Sequence, residues 1–205
     1  MHYHIGEKYR RVTMKKSALI MIDMQRGFID PLSPLCIPSA AATVPACADA
    51  LRHCHENGIQ VIYAVRHYRS DGSDVEKTRY KLWLEGGKPL SETCDERISG
   101  AFPEQFEVLE QDRVIVKPRF SAFFATELDL VLRRLGVQTV ILAGTTTPNC
   151  IRTTCYDALS LGYDVVILSD CTSSVSDAVQ EANLADMQRI GAKILTSTEW
   201  KNEAR

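Results

Sequence analysis

Short apolar runs recur along the chain at residues 17–22, 60–65, 113–117, 137–143, 164–168 and 192–195. Most are continuous rather than alternating and several are rich in β-branched residues, which suits strands buried on both faces of a parallel sheet. Between them lie segments of helical periodicity. In 40–57 the apolar positions are Val44, Cys47, Leu51 and Cys54; in 125–135 they are Leu128, Val131, Leu132 and Leu135. Further helices are expected over 148–161 and 176–189, and Gly58, Gly136 and Gly162 stand where three of the four should stop. Prolines 31, 34 and 38 keep the chain extended up to Ser39. Strands alternating with helices predict a single α/β domain, a mostly parallel sheet with helices on both faces. Pattern alone does not give the strand order.

Residues 66–112 break this rhythm. The segment is too long for a plain connection in a compact α/β domain, so short helices and part of a pocket wall are expected there. Turns are expected at 71–74 and 86–89. A length of 205 residues suits one domain, taken here as 17–205 after an N-terminal extension at 1–16. That extension is polar and basic, without the apolar region of a secretory signal.

A net charge of −2 gives no electrostatic case for nucleic acid or an anionic membrane as partner, and no apolar stretch approaches the ~18 residues a spanning helix needs. Seven cysteines, an odd number without regular spacing, argue against a disulfide framework and for a reducing, cytoplasmic setting.

Ligands of open parallel sheets bind beyond the carboxyl ends of the strands, so what each strand ends in matters. The first ends in Asp23, the third in Lys117, and the fourth runs through Gly144 and a Thr-rich turn to Cys150. Thr147-Pro148 reads as an N-cap followed by proline at the first helical position, which puts Cys150 in the first turn. Free N–H groups and the helix dipole favour a thiolate there. Taken singly, each residue has a plainer explanation: a packing cysteine, a turn-forming aspartate, a solvated lysine. Together they are the parts of acyl transfer through a cysteine. Asp23 takes the thiol proton and returns it to the leaving amine, and Lys117 fixes the carboxylate and favours thiolate.

Three stretches carry a resemblance: Ala18-Leu19-Ile20-Met21-Ile22-Asp23-Met24-Gln25, Lys117-Pro118-Arg119-Phe120-Ser121-Ala122-Phe123, and Ala143-Gly144-Thr145-Thr146-Thr147-Pro148-Asn149-Cys150-Ile151. With them the chain resembles the isochorismatase-like cysteine hydrolases over about residues 17–195. The resemblance implies a three-layer α/β/α fold with a six-stranded sheet, and a triad of Asp23, Lys117 and Cys150. It also implies a cis peptide between Thr145 and Thr146, and an oxyanion hole from the backbone N–H groups of Thr146 and Cys150. Family activities are hydrolyses of small amides and ureido compounds or of the vinyl ether of isochorismate. The cysteine favours amides, with isochorismate hydrolysis through Asp23 as acid, or a non-catalytic binding module, as alternatives. Dimers or tetramers are common in the family, which implies a homo-oligomer.

The family's nicotinamidases hold a metal through an Asp-x-His arrangement after the second strand. Here that place reads Val65-Arg66-His67, without the carboxylate, and His53 and His55 are too close on one helix to share an ion. No metal and no cofactor are therefore expected. Phe28 and Phe123 are candidates for the pocket wall, and Trp83 for a lid or a subunit contact. Arg66, His67 and Arg119 are candidates for binding a substrate carboxylate, and Thr172 for a contact from the fifth strand's loop.

Overall fold

The computed structural model describes residues 16–203; the expected N-terminal extension, Lys16 apart, lies outside them. Its six strands are β1 (Ser17–Ile22), β2 (Gln60–Val65), β3 (Arg113–Val116), β4 (Thr139–Thr145), β5 (Asp164–Ser173) and β6 (Lys193–Leu195). They form one parallel sheet in the order β3-β2-β1-β4-β5-β6. The chain winds outwards from β1 to β3, returns to place β4 on the other side of β1, then winds outwards again. The β1/β4 boundary is the switch point at which such sheets open a crevice beyond their carboxyl ends.

Period-two side-chain alternation sorts the core into two layers. On one face Leu19, Met21, Val61, Tyr63 and Ile141 pack with Val44, Cys47 and Leu51 of α2 (Ala40–Asn57) and Trp200 of α7 (Ser197–Glu203). On the other, Ile20, Ile22, Ile62 and Leu142 pack with Leu128 and Leu132 of α4 (Leu128–Arg134), Cys155 of α5 (Arg152–Ser160) and Met187 of α6 (Asp177–Arg189). Sequestering each such aliphatic side chain is worth roughly 1.5–3 kcal/mol, and with two filled faces the sheet is a rigid platform.

Several boundaries differ from expectation. Helix α4 starts at Leu128 rather than 125, because Ala125 has φ +53° and the Thr126 hydroxyl accepts from the Leu128 N–H at 3.2 Å. The stretch 170–173 is β structure rather than loop: Thr172 and Ser173 pair with Gly144 and Thr145. The loop after β1 contains a short helix, α1 (Arg26–Ile29). Helix α7 was not expected at all, although Thr196 and Glu199 form a reciprocal capping box at its start.

Residues 66–112 do include short helices, α3 (Tyr80–Glu85) and a 3₁₀ turn at Glu96–Ile98. They fold over a third cluster of Phe28, Leu35, Tyr68, Val75, Trp83 and Leu90. Trp83 is fully buried and its indole N–H donates to the Pro89 carbonyl at 2.9 Å, so it is a core residue and neither a lid nor a subunit contact.

Gly144 shows why the β4 end reads as it does. Its φ is +113°, and a Cβ there would lie 2.0 Å from the Ile22 carbonyl oxygen. Only glycine lets β4 come this close to β1 while the β4/β5 register shifts between Leu142 and Gly144.

Candidate active site

Four neighbouring strands deliver Lys117, Arg66, Asp23 and Cys150 to one edge of the sheet, from β3, β2, β1 and the turn after β4 respectively. Lys117 Nζ donates to Asp23 Oδ2 at 2.7 Å, to Cys150 Sγ at 3.6 Å and to the Arg119 carbonyl at 3.3 Å. Strict alternation along β1 would carry Asp23 to the α2 face with Leu19 and Met21. Its φ of +53° breaks the alternation and turns the carboxylate to the face of Ile22, Cys150 and Lys117. Aspartate tolerates this region better than most residues, at a cost of order 1 kcal/mol. Asp23 Oδ1 is buried and accepts no hydrogen bond, so half the carboxylate is left open to a proton.

Burial pushes the Cys150 thiol above its ordinary range; Lys117 pulls it down, Asp23 pushes it up and Arg66 pulls it down again. Burial wins. Lys117 favours the thiolate as expected, but burial is the larger influence at this depth: Cys150 is 3% exposed. A thiol pushed upward by burial, with a carboxylate beside it, suits transfer of its proton to Asp23.

The turn carrying Cys150 is fastened to β5. The peptide between Thr145 and Thr146 is cis. The hydroxyls of Thr146 and Thr147 donate to the Ser173 carbonyl at 3.1 and 3.0 Å, and the Ser173 hydroxyl donates to Thr145 Oγ1 at 2.8 Å. The N-cap is Thr146 rather than Thr147, and the first turn, Thr147–Ile151, is a π-helix that continues into α5. Its closing bond runs from the Ile151 N–H to the Thr146 carbonyl at 3.2 Å. Cys150 lies in this first turn, one residue before that bond, and the Asn149 N–H reaches the same carbonyl at 3.1 Å.

The remaining candidates divide sharply. Arg66 is fully buried, near enough to Asp23 and Cys150 for both to act on its charge. His67 is half-exposed, 3.9 Å from Glu92, and Arg119 is exposed, donating to the carbonyls of Asp74 and Pro118. The partners of both side chains lie away from Asp23, Lys117 and Cys150. Phe28 belongs to the cluster around Trp83, and Phe123 stacks on Tyr163 against the α4/α5 layer, so both are packing residues. Thr172 is buried and tied to the Ser169 carbonyl and the Gln180 amide, which makes it structural too.

Sequence reasoning missed two groups. Gln25 clamps the end of β2, its amide pairing with both the N–H and the carbonyl of Arg66 at 2.8 and 2.9 Å. Its place two residues after Asp23 was the available signal. Glu76 pairs with Arg66 Nη1 and accepts from the Tyr68 hydroxyl at 2.7 Å. Nothing in the pattern of 66–112 pointed to it. Among the described residues no three His, Cys, Asp or Glu side chains group as a metal site requires.

The isochorismatase domain family matches residues 17–199. A probable inactive nicotinamidase of Arabidopsis thaliana is 35% identical over 92% of this chain and 96% of its own. Maleamate amidohydrolase of Pseudomonas putida is 31% identical over 93% and 88%. Among solved structures, an isochorismatase family protein of Desulfovibrio vulgaris superposes with a TM-score of 0.84 at 40% identity, covering 91% of this chain and 97% of its own. A match across the whole sheet, joined to relatives above 30% identity, places the chain in the isochorismatase family of hydrolases.

Proposed function

We propose that the protein hydrolyses a small amide or carbamoyl substrate through a thioester on Cys150, with Asp23 as proton carrier and no metal. The observation that carries the reading is Lys117 Nζ held between Asp23 Oδ2 and Cys150 Sγ, with Asp23 Oδ1 unoccupied. The names of the relatives, a maleamate amidohydrolase among them, support C–N bonds as the target. The relative named inactive is why the reading is tied to the geometry rather than to a name.

The steps balance with these residues alone. As the carbonyl carbon meets the sulfur, the thiol proton passes to Asp23 and the new S–C bond forms. Lys117, already beside the sulfur, offsets the negative charge while it lasts. The carbonyl oxygen becomes an oxyanion facing the N–H groups of Thr146 and Cys150. Asp23 returns its proton to the leaving nitrogen, the C–N bond breaks and ammonia or an amine departs. Water then gives a proton to Asp23 and attacks the thioester. The acid product leaves and the proton returns to Cys150. A low-dielectric setting strengthens each of these charge interactions.

The test is ammonia release from a panel of small amides by the wild type and by Cys150→Ala. Release that the substitution abolishes supports the reading. Turnover of isochorismate that survives Cys150→Ala would replace it with vinyl ether hydrolysis by Asp23.

A further inference from the structure

Arg66 has an unused edge. Its side chain is fully buried, its Nη1 is spent on Glu76 and the Pro118 carbonyl, and its Nε and Nη2 have no partner. A buried donor left without an acceptor is costly, and two on one guanidinium call for a reason. Nε and Nη2 form the side-on fork that matches both oxygens of a carboxylate. The rings of Phe120 and Tyr68 lie 5.5 and 6.0 Å from the guanidinium carbon and hold its plane, and Gln25 fixes the backbone beneath it.

Its strand places Arg66 at the site. β2 sits between β1 and β3 in the sheet, so Arg66 stands between Asp23 and Lys117. It continues the alternation of Ile62 and Ala64 on the Cys150 face. Burial opposes its charge, yet Asp23 foremost, with Tyr68, Cys150 and Glu76, outweighs that and holds the guanidinium more firmly protonated. Of the three cations that sequence reasoning put forward for this task, Arg66 alone stays inside.

We infer that the Nε–Nη2 edge of Arg66 anchors a carboxylate on the substrate, so that the substrate class is a short acid carrying an amide or carbamoyl group. This rests on the reading that substrate lies beside Cys150, and it adds a specificity-determining residue to it.

Binding is tested without turnover. Cys150 alkylation by iodoacetamide is followed by peptide mass in the presence of malonate, succinate or glutarate, and of butyramide as a neutral control. In the wild type at least one dicarboxylate slows alkylation by about tenfold or more while butyramide at equal concentration does little. Protection disappears in Arg66→Gln. Arg66→Lys keeps the cation facing Glu76 but not the fork, so it keeps only a small part of the protection and serves if the glutamine variant fails to fold. Equal protection by butyramide, no protection by any dicarboxylate, or protection that survives in the folded variants would overturn the inference. Protection that depends on Arg66 with no amide hydrolysed would leave it standing and sink the hydrolase reading. Hydrolysis indifferent to a carboxylate would do the reverse.

Discussion

Lys117 and Asp23, ninety-four residues apart in sequence, meet at 2.7 Å with side chains that are 0% and 1% exposed. Removing one partner of a buried pair strands the other charge, at a cost of about 3–5 kcal/mol. Lys117→Met should therefore lower stability by that order in urea denaturation. Asp23→Leu combined with Lys117→Met should cost less than Lys117→Met alone, because no charge is then left unpaired. A double variant less stable than the single one would show that the pair is not isolated in the way its burial implies.

The thiol gives a sign that can be checked. Asp23 pushes the Cys150 pKa up, whereas Lys117 pulls it down. Asp23→Asn should move the pH profile of Cys150 alkylation to lower pH, and Lys117→Met should move it to higher pH. The same Asp23→Asn variant should lose about 10²–10⁴ in amide turnover, since no group carries the proton. A thiol made more reactive in an enzyme made less active separates nucleophile from proton carrier. Linkage runs the same way. The folded thiol titrates above the unfolded value of about 8.5, so its contribution to stability is present below that pH and is lost as pH rises through the folded value. Glu76 is the opposite case. Burial raises its pKa, but Arg66 and the Tyr68 hydroxyl lower it further, so its contribution is present above the unfolded value of about 4.3 and fades on acidification through the folded one.

Gly144→Ala places a methyl 2.0 Å from the Ile22 carbonyl oxygen at a φ of +113°. Backbone cannot yield there without parting β1 from β4, so a loss of about 3 kcal/mol or more is expected. Thermal melts measure it. Gly162→Ala, also at positive φ but with open space around it, should cost less.

Trp83→Ala distinguishes packing from gating. A fully buried tryptophan holding the third cluster should cost about 3–5 kcal/mol when truncated. A lid residue would instead alter KM with stability nearly untouched.

The fold was readable where local pattern and tertiary context agree. Continuous apolar runs gave all six strands, and strand ends gave Asp23, Lys117 and Cys150, because position along a strand fixes position at the sheet edge. Failures came where partners lie far apart in sequence. Residues 170–173 have turn-like composition yet pair with Gly144 and Thr145, a contact that no local window contains. Arg66 was one cation among three, and only the path of 66–112, which brings Glu76 and Tyr68 to it, sets it apart. The upward push of burial on the Cys150 thiol is out of reach for a related reason: helix position is local, whereas burial is the work of the whole fold. Thr196 and Glu199, three residues apart, carry the capping-box signature in the sequence itself.

The central claim is that Cys150 becomes acylated during turnover. Wild-type enzyme mixed with a hydrolysed amide, quenched in acid within the first turnovers and digested, is analysed by peptide mass. A substrate-derived acyl group on Cys150, equal to the amide less its amine, is the predicted result. Unmodified Cys150 throughout, with hydrolysis undiminished in Cys150→Ala, would contradict the account.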